Sequence, residues 1–393
     1  MSLRSIAEVK HLSGKTVLVR IDTNVPLKGK HVVDDSRLRE AVPTIRFLER
    51  KGAKVILLGH LGRPAGKVVT SLSLKPVGYA LGKILRQPVK VLPFTMRPEA
   101  IRRAAAAGVV LLENIRFHKG EDSNSQLFAR TLSHLGQIYV NEAFSCSHRP
   151  SASLVSLARK LPSAAGFQLI NEVNSLERVR RRGVKPVVAI IGGAKISDKL
   201  PVIKKLSPRS AAVLVGGGVA STLLKAKGYK VGKSLVDAAA AKAAKALCRV
   251  AGKKLILPLD VVVDNVDTAP AEARLRRVNQ IRNNERIVDL GTASCRLYAK
   301  HLKKARTIFW SGPLGLVEEP NWQHATLALG RLVAALARRK AYVVVGGGDT
   351  VGFFHQHGLE VDFFSTGGSA MLEFLASEDL PGLIALGYHR PSK

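Results

Sequence analysis

Short apolar runs rich in β-branched residues alternate with helical patterns along this chain, and that alternation limits the folds open to it. The runs of the first half are TVLVRID (16–22), KVILLG (54–59), VKVLP (89–93), VVLLEN (109–114) and IYVNEAF (138–144). Those of the second half are KPVVAIIGG (185–193), AAVLVGGG (211–218), KKLILPLDVVV (253–263), RTIFWSG (306–312) and AYVVVGGG (341–348). Apolar strands separated by helices are typical of parallel sheets built from βαβ units. We therefore predict an α/β fold of two doubly wound lobes.

The predicted boundaries follow from this rhythm. Helices are expected at 36–51 and near 75–86, and LINEVNSLERVRRRG (169–183) has helical spacing with no strand. We predict a first lobe at 1–168, a connecting helix at 169–184, a second lobe at 185–375 and a C-terminal segment at 376–393. A chain of 393 residues suits two cores better than one.

The formal net charge is +33, which favours anionic partners in general. Aromatic residues make up only 5% of the chain, and no nucleic-acid-binding module is evident. Binding of nucleic acid is therefore expected only as a non-specific consequence of the charge. No apolar run reaches membrane-spanning length, and the N-terminus has no secretion signal, so we expect a cytoplasmic protein without a membrane partner.

In open parallel sheets, ligands bind beyond the carboxyl ends of the strands. In the first lobe those positions carry a concentration of cations and polar groups: Asp22, Asn24, His60, Arg63, Arg116, His148 and Arg149, with Arg37 near the start of a helix. A single arginine there is usually structural, but four arginines with two histidines are more than packing requires. Arginine forks suit phosphate and carboxylate oxygens. The pattern indicates a small, multiply anionic, phosphorylated ligand.

The second lobe has glycine-rich loops after three strands, in GGAKISDK (192–199), LVGGGVAS (214–221) and VVGGGDT (344–350). Glycines allow close approach of a ligand, and helix N-termini favour anions. If the first loop were helical, Lys195 and Lys199 would share a face and repel each other. Either a solvated face or a counter-charge for nucleotide phosphates explains the pair. Asp349 is either a plain helix N-cap or a ligand of Mg²⁺. A nucleotide lobe and an anion lobe together indicate phosphoryl transfer.

The chain resembles the phosphoglycerate kinase family over essentially its whole length. The matching segments, in the family's order, are VRIDTNVP, DDSRLREAVPTI, GHLGRP, LLENIRF, YVNEAFSCSHR, IGGAKISDK, VGGGVASTLLKA, WSGPLGLVEEP, VVGGGDT and STGGSAMLEFL. The resemblance implies two Rossmann-like lobes with parallel sheets flanked by helices, joined by a hinge helix. The C-terminal segment then packs on the first lobe, and the lobes close during catalysis. The implied protein is a monomer that transfers a phosphoryl group reversibly from 1,3-bisphosphoglycerate to ADP, giving 3-phosphoglycerate and ATP, with Mg²⁺.

Site residues carry over by motif. The resemblance implies that 3-phosphoglycerate is bound by Asp22, Asn24, Arg37, His60, Arg63, Arg116 and Arg149. The implied catalytic residues are Arg37, Lys195, Lys199, Gly367 and Gly368. The implied nucleotide contacts are Lys199, Gly217, Gly218, Glu318, Gly347, Gly348, Asp349 and Thr350, with Asp349 as the metal ligand. The alternative is a non-catalytic protein of the same fold that binds RNA or another polyanion.

Several positions depart from the family's usual residues. Thr23 replaces a phenylalanine, Glu142 an aspartate, Ser145 a glycine, Ser311 an asparagine and Ser369 a glycine. Ser311 and Ser369 fall in motifs near the nucleotide in this family, so the resemblance implies weaker or altered handling of nucleotide. Because Arg37, Lys195, Lys199 and Asp349 are all present, we expect an active enzyme.

Overall fold

A computed structural model describes residues 3–181, 183–265, 273–376 and 379–388. The chain divides into two compact units, one of Met1–Val173 with Asp379–Lys393 and one of Asn174–Glu378. Parts of two predicted segments lie outside the described residues: Arg182 of the connecting helix, and residues 377–378 and 389–393 of the C-terminal segment. Within the described ranges, no helix is both long and apolar enough to cross a membrane.

The first unit is built on a six-stranded parallel sheet. Its strands are β1 (Thr16–Arg20), β4 (Lys54–Leu58), β5 (Lys90–Leu92), β6 (Val110–Leu112), β7 (Ile138–Asn141) and β8 (Ser163–Ala165), and a hairpin of β2 (Leu27–Lys28) and β3 (His31–Val32) follows β1. The strand order is β5-β6-β4-β1-β7-β8. In β1, Val17 and Val19 pack into one apolar cluster while Leu18 packs into another. Successive side chains point to opposite faces of a strand, so a sheet covered on both sides reads as a continuous apolar run.

Helices cover both faces of this sheet. They are α1 (Ser36–Arg50), α2 (Lys75–Leu85), α3 (Pro98–Ala106), α4 (Lys119–Asp122) and α5 (Gln126–Ser133). The short helix α14 (Pro381–Ile384), near the C-terminus, also belongs to this unit, where the Gly382 N–H donates to the Ser147 carbonyl at 2.9 Å. Helix α1 begins one residue before Arg37, one of the predicted site residues, and so fixes that side chain beside the loop after β1.

The second unit repeats this architecture around a second six-stranded parallel sheet. Its strands are β9 (Val187–Ile191), β10 (Ala212–Val215), β11 (Leu255–Ile256), β15 (Thr307–Ser311), β16 (Tyr342–Gly346) and β17 (Phe363–Ser365), in the order β11-β10-β9-β15-β16-β17. The helices are α7 (Leu200–Leu206), α8 (Gly217–Ala226), α9 (Ala241–Ala251), α10 (Thr292–Leu302), α11 (His324–Ala337), α12 (Gly348–Gln356) and α13 (Ser369–Leu375). The predicted fold class, α/β with two lobes of parallel strands flanked by helices, is confirmed.

A small antiparallel sheet in the second unit departs from the predicted pattern. The run KKLILPLDVVV, predicted as one strand, is two: β11 in the parallel sheet and β12 (Asp260–Asn265) in a separate sheet. Pro258 lies between them and has no N–H to continue a ladder. Strand β12 lies between β13 (Arg274–Arg277) and β14 (Glu285–Leu290) and is antiparallel to both.

The predicted connecting helix corresponds to α6 (Phe167–Arg180), whose sequence crosses the boundary between the units. The buried carboxyl of Glu142 lies at its first turn and accepts the N–H groups of Gln168 at 3.1 Å and Leu169 at 3.3 Å. A side chain that accepts these N–H groups satisfies donors that every helix start leaves without an intrahelical partner. The end of β7 therefore holds the start of α6.

Candidate active site

The loops after β6, β4, β1 and β7 meet at one edge of the first unit because these four strands are neighbours in the sheet. These loops carry the predicted ligand residues Asp22, Asn24, His60, Arg63, Arg116 and Arg149. Burial is the main reason that the pKa of His60 lies well below its usual range. The positive charges around it lower the pKa further, and they belong to Arg20, Arg116, Arg149 and Arg37. Arg63 contributes to the same positive field. Burial is the main cause that lowers the pKa of His148, and the charges of Arg149, Arg116 and Arg63 lower it further. The structure thus brings the predicted cations together.

Asp22 organises the part of this cluster nearest to α1. Its Oδ2 accepts from Arg37 Nη1 at 2.9 Å and also from the Ser145 hydroxyl. Its Oδ1 accepts the Asn24 N–H at 2.9 Å. The Arg37 side chain remains 32% exposed, so the ion pair orients a guanidinium that still faces solvent. Ser145, at a position where the family usually has glycine, adds a hydroxyl to the carboxylate that holds Arg37.

Asn24 joins two of the loops. Its side-chain oxygen accepts the Gly62 N–H at 3.0 Å, which ties the loop after β1 to the loop after β4. From the other side, Arg116 Nη1 donates to the Gly62 carbonyl at 2.9 Å, and Arg116 Nε lies 3.1 Å from a carboxylate oxygen of Asp122. Burial lowers the pKa of Arg116 from its usual value. Arg116 is therefore a fixed, buried cation in the floor of the site.

Arg63 and Arg149 have exposed side chains, in contrast to Arg116. Exposed guanidinium groups beside a buried, same-sign cluster are suited to an incoming anion, because a ligand that neutralises them also relieves their mutual repulsion. This edge of the first unit therefore has the chemistry expected for a phosphorylated acid.

Sequence reasoning missed Arg20, the last residue of β1. Its side chain is 2% exposed and lies beneath the site, where Nη2 is 2.9 Å from His60 Nδ1 and Nε donates to Ser153 Oγ at 3.0 Å. Because the guanidinium can only donate, His60 Nδ1 accepts, and the proton of the neutral ring is then on Nε2. An arginine inside an otherwise apolar strand is the sequence signal that would have identified it.

In the second unit, the structure corrects the view of Lys195 and Lys199 as neighbours on a helix. Helix α7 begins at Leu200, so Lys199 is its N-cap and Lys195 lies in the preceding loop. Repulsion between i and i+4 positions of a helix therefore does not apply to them. Lys195 is exposed, whereas Lys199 is partly buried and donates from Nζ to Ser311 Oγ at 3.0 Å.

The negative charge of Asp349 acts on the Lys199 ammonium group. Burial lowers the pKa of Lys199 from its usual value, and the carboxylates of Asp198 and Asp349 act in the opposite direction. Ser311 is fully buried at the end of β15, in contact with this lysine. The hydroxyl at this position, where the family usually has an amide, is thus engaged by the lysine of the neighbouring loop.

The glycines of this unit have two different structural roles. A Cβ at Gly218 would lie 2.2 Å from the Ala194 carbonyl oxygen, so Gly217 and Gly218 let α8 pack against the loop that carries Lys195. Gly347 has φ +93°, and a Cβ at Gly348 would meet open space. These two residues leave the start of α12 uncovered, as an anion site at a helix N-terminus requires. Behind them, the buried Thr350 accepts the Gly312 N–H at 2.9 Å.

The remaining predicted residues lie on loops at the carboxyl ends of the strands. Gly367 and Gly368 follow β17 and precede α13, and Gly368 has φ +53°. A cleft of about 310 Å³ between the loop before α7 and the start of α13 is lined by Ser197, Asp198 and Ser369, among others. Glu318 is exposed in the turn after β15. The described residues contain no group of three or more acidic, histidine or cysteine side chains placed to hold a metal.

Comparisons with known proteins agree with this arrangement. The family model of phosphoglycerate kinase matches residues 6–378. The phosphoglycerate kinase of Moorella thermoacetica is 43% identical over 383 residues, which are 95% of this chain and 97% of that protein. That of Rubrobacter xylanophilus is 42% identical over 390 residues, 98% of each chain. The structure of phosphoglycerate kinase from Coxiella burnetii superposes with a TM-score of 0.86 at 36% identity and covers 98% of this chain and 99% of that one.

All of these relatives are phosphoglycerate kinases, and each of them matches almost the whole of this chain. None of them supports the alternative of a non-catalytic polyanion-binding protein. The matched region includes every residue of the two clusters described above. The chain therefore belongs to the phosphoglycerate kinase family and has the kinase activity of that family.

Proposed function

We propose that the protein transfers a phosphoryl group reversibly from 1,3-bisphosphoglycerate to ADP, giving 3-phosphoglycerate and ATP, as a phosphotransferase with a carboxyl group as acceptor. The observation that carries this proposal is the convergence of the Arg37, Arg116 and Arg149 charges on His60 in the first unit. Clustered guanidinium groups are suited to a ligand with both a phosphate and a carboxylate. The family assignment supplies ATP or ADP as co-substrate.

On the acid side, Arg63, Arg116 and Arg149 bind the phosphate, and Asp22 and Asn24 orient the hydroxyl and carboxylate end. His60 acts as a neutral donor, because its Nδ1 is engaged by Arg20 and its Nε2 carries the proton. Arg37 is held by Asp22 with part of its guanidinium toward solvent, which leaves it available to the transferring group. A 3-phosphoglycerate carboxylate is ionised at neutral pH, so it attacks phosphorus without a general base.

On the nucleotide side, Lys195 and Lys199 neutralise the nucleotide phosphates, and the backbone N–H groups from Gly347 to Thr350 receive them at the start of α12. Gly217 and Gly218 bring α8 close to the same loop, Glu318 contacts the ribose, and Gly367 and Gly368 present the start of α13 to the transferring group. Phosphoryl transfer depends on such positioning and charge neutralisation more than on covalent help from the protein.

The residues present fit a Mg²⁺ ion that arrives with the nucleotide. Asp349 is an exposed carboxylate in the first turn of α12, beside the open space over Gly348, and its charge reaches Lys199. Mg²⁺ usually takes one or two carboxylates together with phosphate oxygens and water, so a single protein ligand suffices. When bound there, the ion would neutralise phosphate charge that Lys199 alone does not balance.

The proposal includes a monomer in the cytoplasm, where membranes retain these phosphorylated acids and nucleotides. Purified protein should show turnover that requires ATP, 3-phosphoglycerate and Mg²⁺ together in a coupled assay for 1,3-bisphosphoglycerate. Replacing Asp349 with asparagine should raise the Mg²⁺ concentration needed for half-maximal rate, whereas the exposed Glu319→Gln control should not. Absence of ATP- and 3-phosphoglycerate-dependent turnover would contradict the proposal as a whole.

A further inference from the structure

A second basic cleft lies in the first unit, and its lining includes none of the strand-end residues of the candidate active site. It has a volume of about 400 Å³ and is enclosed by the β2–β3 hairpin, the start of α1 and the outer face of α2. The side chains that define it are Lys30, His31, Arg39, Tyr79, Lys83 and Arg86. None of them belongs to the residues assigned to either substrate.

Helix α1 separates this cleft from the candidate active site. Arg37 and Arg39 are two residues apart on the same helix, so their side chains leave it about 160° apart around its axis. Arg37 pairs with Asp22 on the active-site side. On the other side Arg39 forms a two-pronged ion pair with Asp35, with Nε–Oδ1 and Nη2–Oδ2 distances of 2.8 Å each. Occupation of the cleft therefore does not require the catalytic residues.

The charge lining the cleft is predominantly positive. Four lysines and arginines and one histidine face a single carboxylate, that of Asp35, which Arg39 already neutralises. Part of this charge has a local explanation, because cations near the end of α2 interact favourably with the helix dipole. Lys30, at the hairpin turn, has no such explanation. Arg86 is the C-cap of α2 at φ +52° and is exposed, so its charge both complements the dipole and remains open to a ligand. A concave surface of predominantly one sign attracts the opposite charge.

Tyr79 indicates which kind of anion suits the cleft. Its side chain is 62% exposed, which is unusual for a large aromatic residue, and Lys83 Nζ lies 4.6 Å from the ring centroid. A small inorganic anion would gain nothing from this ring. Proteins that bind single-stranded nucleic acid combine a basic groove for the backbone with aromatic rings on which bases stack. The cleft has both features, and its volume suits about one nucleotide unit.

We infer that this cleft binds single-stranded nucleic acid, with backbone phosphates at Lys30, Lys83 and Arg86 and a base against Tyr79. The net charge of +33 draws polyanions to the protein in general, and the cleft gives that attraction a defined location. This site goes beyond the kinase activity and is independent of it.

The test is fluorescence anisotropy of a labelled single-stranded oligouridylate with the full chain, over a range of salt concentrations. Tyr79→Ala should weaken binding about tenfold, through loss of stacking. The double variant Lys83→Ala/Arg86→Ala should weaken it by a similar factor and reduce the slope of log affinity against log salt by about two. Matched controls are Tyr229→Ala, an exposed tyrosine of the other unit, and Lys10→Ala/Lys15→Ala, two exposed lysines of the same unit.

Kinase activity serves as the folding check, since all these variants should retain it within about twofold if only surface groups are changed. Binding that falls equally in the cleft variants and in the lysine control would overturn the proposal, because it would place the affinity in the diffuse charge of the surface. An unchanged affinity of Tyr79→Ala would also overturn it.

Discussion

Replacing Glu142 with glutamine should remove a pH dependence of stability that originates in one buried carboxyl group. Glu142 is 4% exposed beneath the start of α6. It accepts from Thr44 Oγ1 at 2.6 Å and from the backbone N–H groups of Gln168 and Leu169. Burial raises its pKa from 4.5 to about 8, and the three hydrogen bonds oppose that rise without cancelling it. The folded protein therefore holds a proton that the unfolded chain releases.

The sign and size of the effect follow from proton linkage. Between the unfolded pKa of 4.5 and the folded pKa of about 8, the folded state binds more protons, so its stability falls as pH rises. The contribution is fully present below pH 4.5 and is lost as pH rises through about 8. Each pKa unit corresponds to about 1.4 kcal/mol, so this group should change the unfolding free energy of the first unit by about 3 to 5 kcal/mol.

The measurement is denaturant unfolding followed by circular dichroism at about pH 5 and about pH 9, where the proton is held and released respectively. Wild type should lose about 3 to 5 kcal/mol between them, whereas Glu142→Gln, with an uncharged side chain of the same shape, should lose far less. Glu8→Gln, an exposed glutamate of the same unit, is the matched control and should behave as wild type. A wild-type stability that rises with pH, or a Glu142→Gln variant that keeps the full fall, would refute the reasoning.

Three further predictions concern the candidate active site. Arg37→Ala should lower kcat about 100-fold with little change in the KM for ATP, because a contact made in the transition state acts on the rate. A raised KM for ATP with unchanged kcat would assign Arg37 to nucleotide binding instead. Lys199→Ala should lose most activity yet unfold at the same or a higher denaturant concentration, since burial disfavours its charge; a marked loss of stability would show that its role is structural. Ser311→Ala should lower kcat/KM for ATP about tenfold, because it removes the acceptor of Lys199 Nζ. Ser311→Asn, which restores the family's usual residue, should retain more activity. Equal activity of both variants and wild type would exclude a positioning role for this hydroxyl.

Much of the fold was predictable because its signals are local. The apolar run that became β1 was predicted at 16–22 and is observed at Thr16–Arg20, and the helix predicted at 36–51 is observed at Ser36–Arg50. Periodicity and length identify such elements from neighbouring residues alone. The division of KKLILPLDVVV into β11 and β12 was missed, because the partners of β12 are strands that only the tertiary structure brings beside it.

The candidate site divides in the same way. The sequence by itself determined the residue types at the strand ends, and the resemblance assigned roles to residues such as Arg37 and Lys199. Only the tertiary structure decided how these residues are held: Arg20 beneath His60, Ser145 on the carboxylate of Asp22, and Ser311 against Lys199. It also decided that residues of the β2–β3 hairpin and of α2 form one basic cleft. In the three contacts of the candidate site, the paired residues are 40 to 123 positions apart in the sequence. Local sequence preferences act over a few residues, whereas contacts of this kind exist only once the sheet has aligned its strands.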